Sequence, residues 1–154
     1  MPNSIVIFGA SGDLTSRKLI PALFSLYRKE RLPPATRIVG FSRSKFSNDE
    51  WRKQLTETTK KFAGEQWDDS AWQEFAKSIY YHPGDIGQAA DFTALAKLLS
   101  ELEQGRPSTR LYYLSTAPRF YEEAVAQLGA AGLAEENNCS RRIVIEKPFG
   151  TDLA

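Results

Sequence analysis

The chain has 154 residues, of which 42% are hydrophobic and 25% charged, and its net charge is +1. This composition is typical of one globular domain with its own core. The near-neutral charge indicates neither a nucleic-acid nor a membrane-surface partner, and no apolar run approaches the ~18 residues that a membrane span needs. The single cysteine, Cys139, excludes an internal disulfide. Together with a start that lacks a secretory pattern, it favours the cytoplasm.

The first element is a strand followed by a glycine turn and a helix. The apolar run Ile5–Phe8 predicts a strand buried on both faces, and Gly9 and Gly12 allow a sharp turn after it. The unpaired amide groups at the start of the next helix can bind phosphate or another anion. Arg17 and Lys18 favour an anion here, because the positive end of a helix otherwise disfavours cations. Exposure of both side chains to solvent is the alternative.

Alternating strand and helix patterns continue along the rest of the chain. Four further apolar runs predict strands, at 37–41, 79–82, 110–115 and 142–147. Ser47 and Glu50 form a capping-box pattern at the start of a helix. The order β-α-β-α-β-α-β-α-β predicts an α/β fold, a doubly wound parallel sheet of the Rossmann type. Such folds often have a sixth strand, so the chain is expected to stop before one, unless the natural protein has five.

The carboxyl ends of the strands are the predicted binding edge of this sheet. The turn with Gly9 and Gly12 is weaker than G-x-G-x-x-G, and no Gly-Lys-Ser/Thr follows that would make a Walker loop. NAD sites usually have Asp or Glu after the second strand, whereas NADP sites have Arg. Here Ser42-Arg43-Ser44-Lys45 contains no carboxylate. Arg43 and Ser44 suit a 2′-phosphate, which favours NADP over a merely solvated loop.

Three other residues lie at the predicted binding edge. Lys147 precedes Pro148 at a strand end, where it suits a nicotinamide-side group, an anionic substrate or an ordinary surface position. Asp85 is interpreted as a turn residue that borders the adenine side. His82, the single histidine, is interpreted as structural rather than as a catalytic base. One histidine and one cysteine do not make a zinc cluster, so no metal is expected.

Three segments together resemble the N-terminal coenzyme domain of the glucose-6-phosphate dehydrogenase family. They are Gly9-Ala-Ser-Gly-Asp-Leu-Thr-Ser-Arg-Lys-Leu19, Val39-Gly-Phe-Ser-Arg43 and Ile145-Glu-Lys-Pro-Phe-Gly150. The resemblance spans essentially the whole chain, although the segment from Tyr113 to Pro118 matches less closely. It implies an NADP-dependent oxidoreductase of carbohydrate metabolism. Such an enzyme oxidises glucose 6-phosphate to 6-phosphogluconolactone in the oxidative pentose phosphate pathway, as a homo-oligomer.

The resemblance also implies a role for each candidate residue. The coenzyme pyrophosphate would bind at the turn with Gly9 and Gly12. Other residues would bind the 2′-phosphate, the adenosine, the nicotinamide and the sugar phosphate. The implied sets are Gly9, Ala10, Ser11, Gly12, Asp13 and Leu14 for the pyrophosphate; Ser11, Arg43 and Ser44 for the 2′-phosphate; Asp85 and Ile86 for the adenosine; Ala117 and Pro118 for the nicotinamide side; and Lys18 and Lys147 for the nicotinamide and glucose 6-phosphate.

The family's general base has no counterpart in this sequence. It is a histidine of an Asp-His pair in a second, substrate-binding domain, and no residue here matches it. We therefore expect residues 1–154 to be a dinucleotide-binding domain without a catalytic base, which binds NADP and does not turn over substrate. A stand-alone NADP-binding sensor or regulatory module is the alternative. A different α/β protein that binds another phosphate is a third, weaker interpretation.

Overall fold

A computed structural model of the chain describes residues 3–9, 18–32, 36–64, 67–104, 109–115, 118–133 and 141–145. Within these residues the chain forms five strands and five helices, with two successive helices between the second and third strands. The strands are β1 (Asn3–Phe8), β2 (Thr36–Ser42), β3 (Ile79–Pro83), β4 (Thr109–Leu114) and β5 (Arg141–Ile145). The helices are α1 (Ile20–Arg28), α2 (Asn48–Ala63), α3 (Asp69–Ala76), α4 (Ala89–Glu103) and α5 (Tyr121–Ala130), the last preceded by a 3-10 helix, Pro118–Phe120. None of these described helices has the length and apolar character needed to cross a membrane.

All five strands are parallel and lie in one sheet with the order β3-β2-β1-β4-β5. The central strand β1 pairs on both sides, and Ile5 is in register with Ile38 of β2 and Leu111 of β4. The chain therefore adds strands on one side of β1 and then crosses to the other side. This reversal confirms the predicted doubly wound fold, and it brings the carboxyl ends of all strands to one edge of the sheet, here called the carboxyl edge.

Alternate residues of the strands contribute to two separate cores. In β1, Val6 and Phe8 pack on the face covered by α4 and α5, whereas Ile7 packs on the face covered by α1, α2 and α3. Because both faces are covered, the strands are apolar almost throughout, as a parallel sheet requires. Trp51 and Trp72 lie in the second of these cores.

The helix starts follow local sequence. The Ser47 hydroxyl accepts the Glu50 N–H at 3.1 Å, and the Glu50 carboxylate accepts the Ser47 N–H at 2.9 Å, which is the predicted capping box. In α1, Pro21 occupies the first turn, where its missing N–H costs no hydrogen bond. This helix ends at Arg28, and the chain turns at Glu30 with φ of 56°.

A buried ion pair closes the opposite, amino edge of the sheet. Glu103 at the end of α4 receives two hydrogen bonds from the Arg110 guanidinium of β4, at 2.7 and 3.0 Å, and one from the Ser4 hydroxyl of β1 at 3.0 Å. Burial by itself lowers the pKa of Arg110, but the hydrogen bonds and charge of Glu103, with a contribution from Tyr112, raise it overall. The Arg110 guanidinium thus stays charged, and the hydrogen bonds to Glu103 tie α4 to two strands.

Removing the charge of Glu103 should destabilise the fold, because the Arg110 guanidinium would remain buried without its counter-charge. We expect Glu103→Gln to lower the free energy of unfolding by about 3 kcal/mol in urea denaturation. Glu74→Gln is the matched control, since the Glu74–Lys77 pair is well exposed and should contribute less than about 1 kcal/mol. Equal effects of the two substitutions would contradict the structural importance of the buried pair.

Candidate functional site

Backbone hydrogen bonds join the loops at the carboxyl edge to one another. The Gly9 N–H donates to the Phe41 carbonyl at 2.9 Å, and the Gly84 N–H donates to the Ser42 carbonyl at 2.8 Å. Gly9 has φ of 83°, a left-handed conformation that favours glycine at the start of the turn after β1. The chain that follows β1 and the chain that follows β3 are therefore both held beside the end of β2.

A cleft of about 610 Å³ opens between the ends of β2 and β3. Its lining includes Arg43, Lys45 and Phe46 from the loop after β2, Pro83 at the end of β3, and Asp85 from the loop that follows β3. Two of the predicted site residues, Arg43 and Asp85, are thus brought together although 41 positions separate them in sequence.

Among the described residues, three carboxylates line this cleft, and each accepts a backbone hydrogen bond. Glu50 accepts the Ser47 N–H, Asp85 accepts the Gly87 N–H at 2.9 Å, and Asp91 accepts the Asp85 N–H at 2.8 Å. These bonds fix the cap of α2 and the loop after β3. The acidic residues of the cleft therefore have an evident role in shaping its walls.

Among the described residues, two cations line the cleft, Arg43 and Lys45, and both are exposed. Within the described part of the chain, neither Arg43 nor Lys45 forms an ion pair. A guanidinium and an ammonium two residues apart in one loop suit a phosphate, which a guanidinium can bind through two parallel hydrogen bonds. The cleft can therefore bind an anionic group at its β2 side.

The loop after β3 reaches the cleft only because residue 84 has no side chain. A Cβ atom added to Gly84 would lie 2.6 and 2.7 Å from ring atoms of Phe41, and 3.1 Å from the Asp91 Cβ. His82 packs on the same ring, with a centroid separation of 5.7 Å, and its Nε2 lies 3.3 Å from the Asp91 carbonyl oxygen. This packing supports the structural interpretation of His82.

The remaining predicted site residues divide into described and undescribed positions. Lys18 is exposed and lies just before α1, Ser44 is half-buried beside Arg43, and Pro118 opens the 3-10 helix. Ile86 is half-buried and packs against the core under α4 and α5, not in the cleft lining. Outside the described residues lie Ala10, Ser11, Gly12, Asp13, Leu14, Ala117 and Lys147.

Sequence reasoning did not single out several residues of the cleft, among them Lys45 and Asp91. Lys45 belongs to the polar segment Ser42-Arg43-Ser44-Lys45 at a predicted strand end, and its place two residues after Arg43 is a signal for a second phosphate contact. Asp91 lies in the first turn of α4, where an acidic residue is commonly interpreted as a complement to the helix dipole. Its bond to the Asp85 N–H depends on how α4 packs, which no local pattern indicates.

Comparison with known proteins identifies relatives for nearly the whole chain. Residues 6–154 match the family model described as glucose-6-phosphate dehydrogenase, NAD binding domain. Glucose-6-phosphate 1-dehydrogenase of Chlamydia pneumoniae is 35% identical over 99% of the chain, and that of Kluyveromyces lactis is 38% identical over 97%. The chain spans only 31% and 30% of the lengths of these two relatives.

Solved structures of glucose-6-phosphate dehydrogenases also resemble this chain over nearly its whole length. A glucose-6-phosphate dehydrogenase in complex with its substrate glucose-6-phosphate superposes with a TM-score of 0.85 and 36% identity, over 96% of this chain and 31% of that one. Glucose-6-phosphate 1-dehydrogenase from Mycobacterium avium superposes with a TM-score of 0.82 and 30% identity, over 97% and 31%. Both likenesses cover nearly the whole of this chain and less than a third of the solved one.

The tight packing at Gly84 generates a stability prediction. We expect Gly84→Ala to lower the free energy of unfolding by about 1 to 3 kcal/mol, because the new methyl group must displace the Phe41 ring. Gly129→Ala in α5 is the control, since its Cβ meets nothing within 4 Å. It should stabilise the chain by about 0.5 to 1 kcal/mol. Thermal unfolding of both variants measures these changes in stability. An unchanged stability of Gly84→Ala would contradict the tight packing of residue 84 against the Phe41 ring.

Proposed function

Since the chain belongs to the glucose-6-phosphate dehydrogenase family, by its match to that family's NAD-binding domain, we propose that it is the coenzyme domain of an NADP-dependent glucose-6-phosphate dehydrogenase. As a domain of this family, it binds a nicotinamide dinucleotide. The parent enzyme would oxidise glucose 6-phosphate to 6-phosphogluconolactone and thereby start the oxidative pentose phosphate pathway. The comparisons give no support to the alternative of a stand-alone sensor or regulatory module.

The preference for NADP rests on the end of β2. Arg43 is exposed at the mouth of the cleft and pairs with no acid among the described residues. No carboxylate stands between Phe41 and Asp49, where an NAD site would use one to bind the ribose hydroxyls. A guanidinium with Ser44 beside it instead supplies donors for a 2′-phosphate. This observation carries the assignment of NADP as the coenzyme.

The other predicted residues complete the proposed coenzyme site. Asp85 would border the adenosine from the opposite wall of the cleft, with Ile86 behind it. The pyrophosphate would lie on the glycine turn that begins at Gly9, where backbone N–H groups would suit an anion. The residues proposed for this turn and for the nicotinamide side are Gly9, Ala10, Ser11, Gly12, Asp13 and Leu14, and Ala117, Pro118 and Lys147, respectively.

Lysines would connect the coenzyme with the substrate. Lys18 is exposed just before α1, and we propose that it and Lys147 orient glucose 6-phosphate toward the nicotinamide, since ammonium groups suit a dianionic substrate. The coenzyme supplies the hydride acceptor, whereas this chain binds and orients. The general base and most of the sugar-phosphate site would belong to a substrate domain outside residues 1–154. We place the parent enzyme in the cytoplasm as a homo-oligomer.

Replacement of Arg43 tests the assignment of NADP. We expect the wild-type chain to bind NADP more tightly than NAD in calorimetric titrations. Arg43→Ala should weaken NADP binding by about 10- to 100-fold, because it removes charge-assisted hydrogen bonds to the 2′-phosphate, and should leave NAD binding nearly unchanged. Lys53→Ala on α2, which lies outside the cleft lining, is the control. An intact NADP preference in Arg43→Ala would refute the role given to Arg43.

The absence of a base in the sequence predicts binding without turnover. With NADP and glucose 6-phosphate present, the purified 154-residue chain should produce no NADPH above the rate without protein. A full-length member of the family serves as the positive control in the same absorbance assay. Dehydrogenase activity of the purified chain would contradict the proposed division of labour between this domain and a substrate domain.

A further inference from the structure

The loop that carries Arg43 is held in place by a tyrosine of the neighbouring strand. Tyr81 of β3 is only 6% exposed, and its hydroxyl donates a hydrogen bond to the Ser44 carbonyl at 2.6 Å. The Ser42 side chain lies close enough to the Tyr81 phenol to oppose, by hydrogen bonding, the rise of its pKa on burial. The Ser44 N–H, in turn, faces the Ser42 hydroxyl at 3.4 Å. One phenol group therefore contacts the residues on both sides of Arg43.

Tyr81 is itself fixed by its surroundings. Its ring packs against Phe46 and Trp51, with centroid separations of 5.4 and 5.2 Å. Its backbone N–H donates to the Asn48 side-chain oxygen at 2.6 Å. Since β3 is an edge strand of the sheet, the Tyr81 N–H has no neighbouring strand on its outer side. The Asn48 side chain of α2 supplies the acceptor instead. The phenol therefore has one well-defined position beneath the loop.

The protonation state of Tyr81 suits its role as a donor. Burial raises the pKa of the phenol above its ordinary value, and the hydrogen bond with Ser42 opposes this rise in part. The hydroxyl therefore keeps its proton at neutral pH and can donate to the Ser44 carbonyl. Arg43, in contrast, has an exposed side chain, so its average position depends on the backbone that carries it.

We infer that Tyr81 is a positioning residue for NADP selectivity, which holds the backbone on both sides of Arg43 so that the guanidinium meets the 2′-phosphate. The tyrosine is absent from the lining of the cleft and acts only through Arg43. A loop that is already ordered loses less conformational entropy on binding, and this lowers the cost of capturing the phosphate. The inference rests on the proposed function, and in particular on Arg43 as the 2′-phosphate ligand.

Removal of one hydroxyl tests this role with little change in packing. Tyr81→Phe keeps the ring but frees the Ser44 carbonyl. We expect it to weaken NADP binding by about fivefold, the effect of one ordinary hydrogen bond, and to leave NAD binding unchanged. Tyr80→Phe is the matched control, because Tyr80 lies on the opposite face of the same strand. Among the hydrogen bonds of the described residues, none involves the Tyr80 hydroxyl, so this variant should bind both coenzymes like the wild type.

A double-mutant cycle separates positioning from general stabilisation. If Tyr81 acts through Arg43, Tyr81→Phe should have no further effect on NADP binding in the Arg43→Ala background. Ser42→Ala is a second variant with a smaller risk to folding, because it removes the other side-chain contact to the phenol at a strand end. It should reduce NADP selectivity in the same direction. Thermal unfolding of each variant establishes that the titrated protein is folded.

The outcomes distinguish failure of this inference from failure of the proposed function. A wild-type chain that does not prefer NADP overturns both. A wild-type preference that Tyr81→Phe and Ser42→Ala leave intact overturns only the positioning role. Equal losses of NADP and NAD binding in Tyr81→Phe, or an undiminished effect in the Arg43→Ala background, would show that Tyr81 supports the fold in general and would also overturn it.

Discussion

The carboxyl edge of the sheet depends on backbone hydrogen bonds that continue the parallel sheet just past its strand ends. Phe41 and Ser42 of β2 accept bonds from Gly9 and Gly84, and Phe8 of β1 accepts one from Ser115. Loops that connect elements distant in sequence are thereby held at sheet spacing from one another. Any ligand bound at this edge meets a surface whose shape is set by the sheet register, and the side chains supply the chemistry.

The two edges of the sheet differ in how they handle charge. At the amino edge, the Arg110 guanidinium is buried and compensated by Glu103, so its charge contributes to the fold. At the carboxyl edge, Arg43 and Lys45 are exposed, while the nearby carboxylates accept backbone N–H groups. The cations at the carboxyl edge are therefore available to an anionic ligand. The buried cation at the amino edge is instead neutralised by Glu103.

Local patterns in the sequence were sufficient to predict the architecture. The alternation of short apolar runs with helical repeats predicted the parallel sheet, and the spacing of Ser47 and Glu50 predicted the start of α2. The position of Arg43 at a strand end predicted that it would lie at the binding edge, because parallel strands share one carboxyl edge. These features depend on residues close together in the chain.

Contacts between distant residues could not be predicted in this way. Tyr81 and Ser44 are 37 positions apart, and Ser4 and Glu103 are 99 positions apart. Strand alternation indicates that Tyr81 is buried, but the partner of its hydroxyl depends on strand register and on how α2 packs. Gly84 looks like an ordinary turn glycine in the sequence. Only the position of the Phe41 ring explains why a side chain does not fit there.

A crystal structure of the chain with NADP tests the central claim most directly. The account predicts that the 2′-phosphate lies in the cleft between the ends of β2 and β3, within hydrogen-bond distance of the Arg43 guanidinium. The Tyr81 hydroxyl should still be bonded to the Ser44 carbonyl. A 2′-phosphate bound away from Arg43, or a coenzyme bound elsewhere than at the carboxyl edge, would contradict the account.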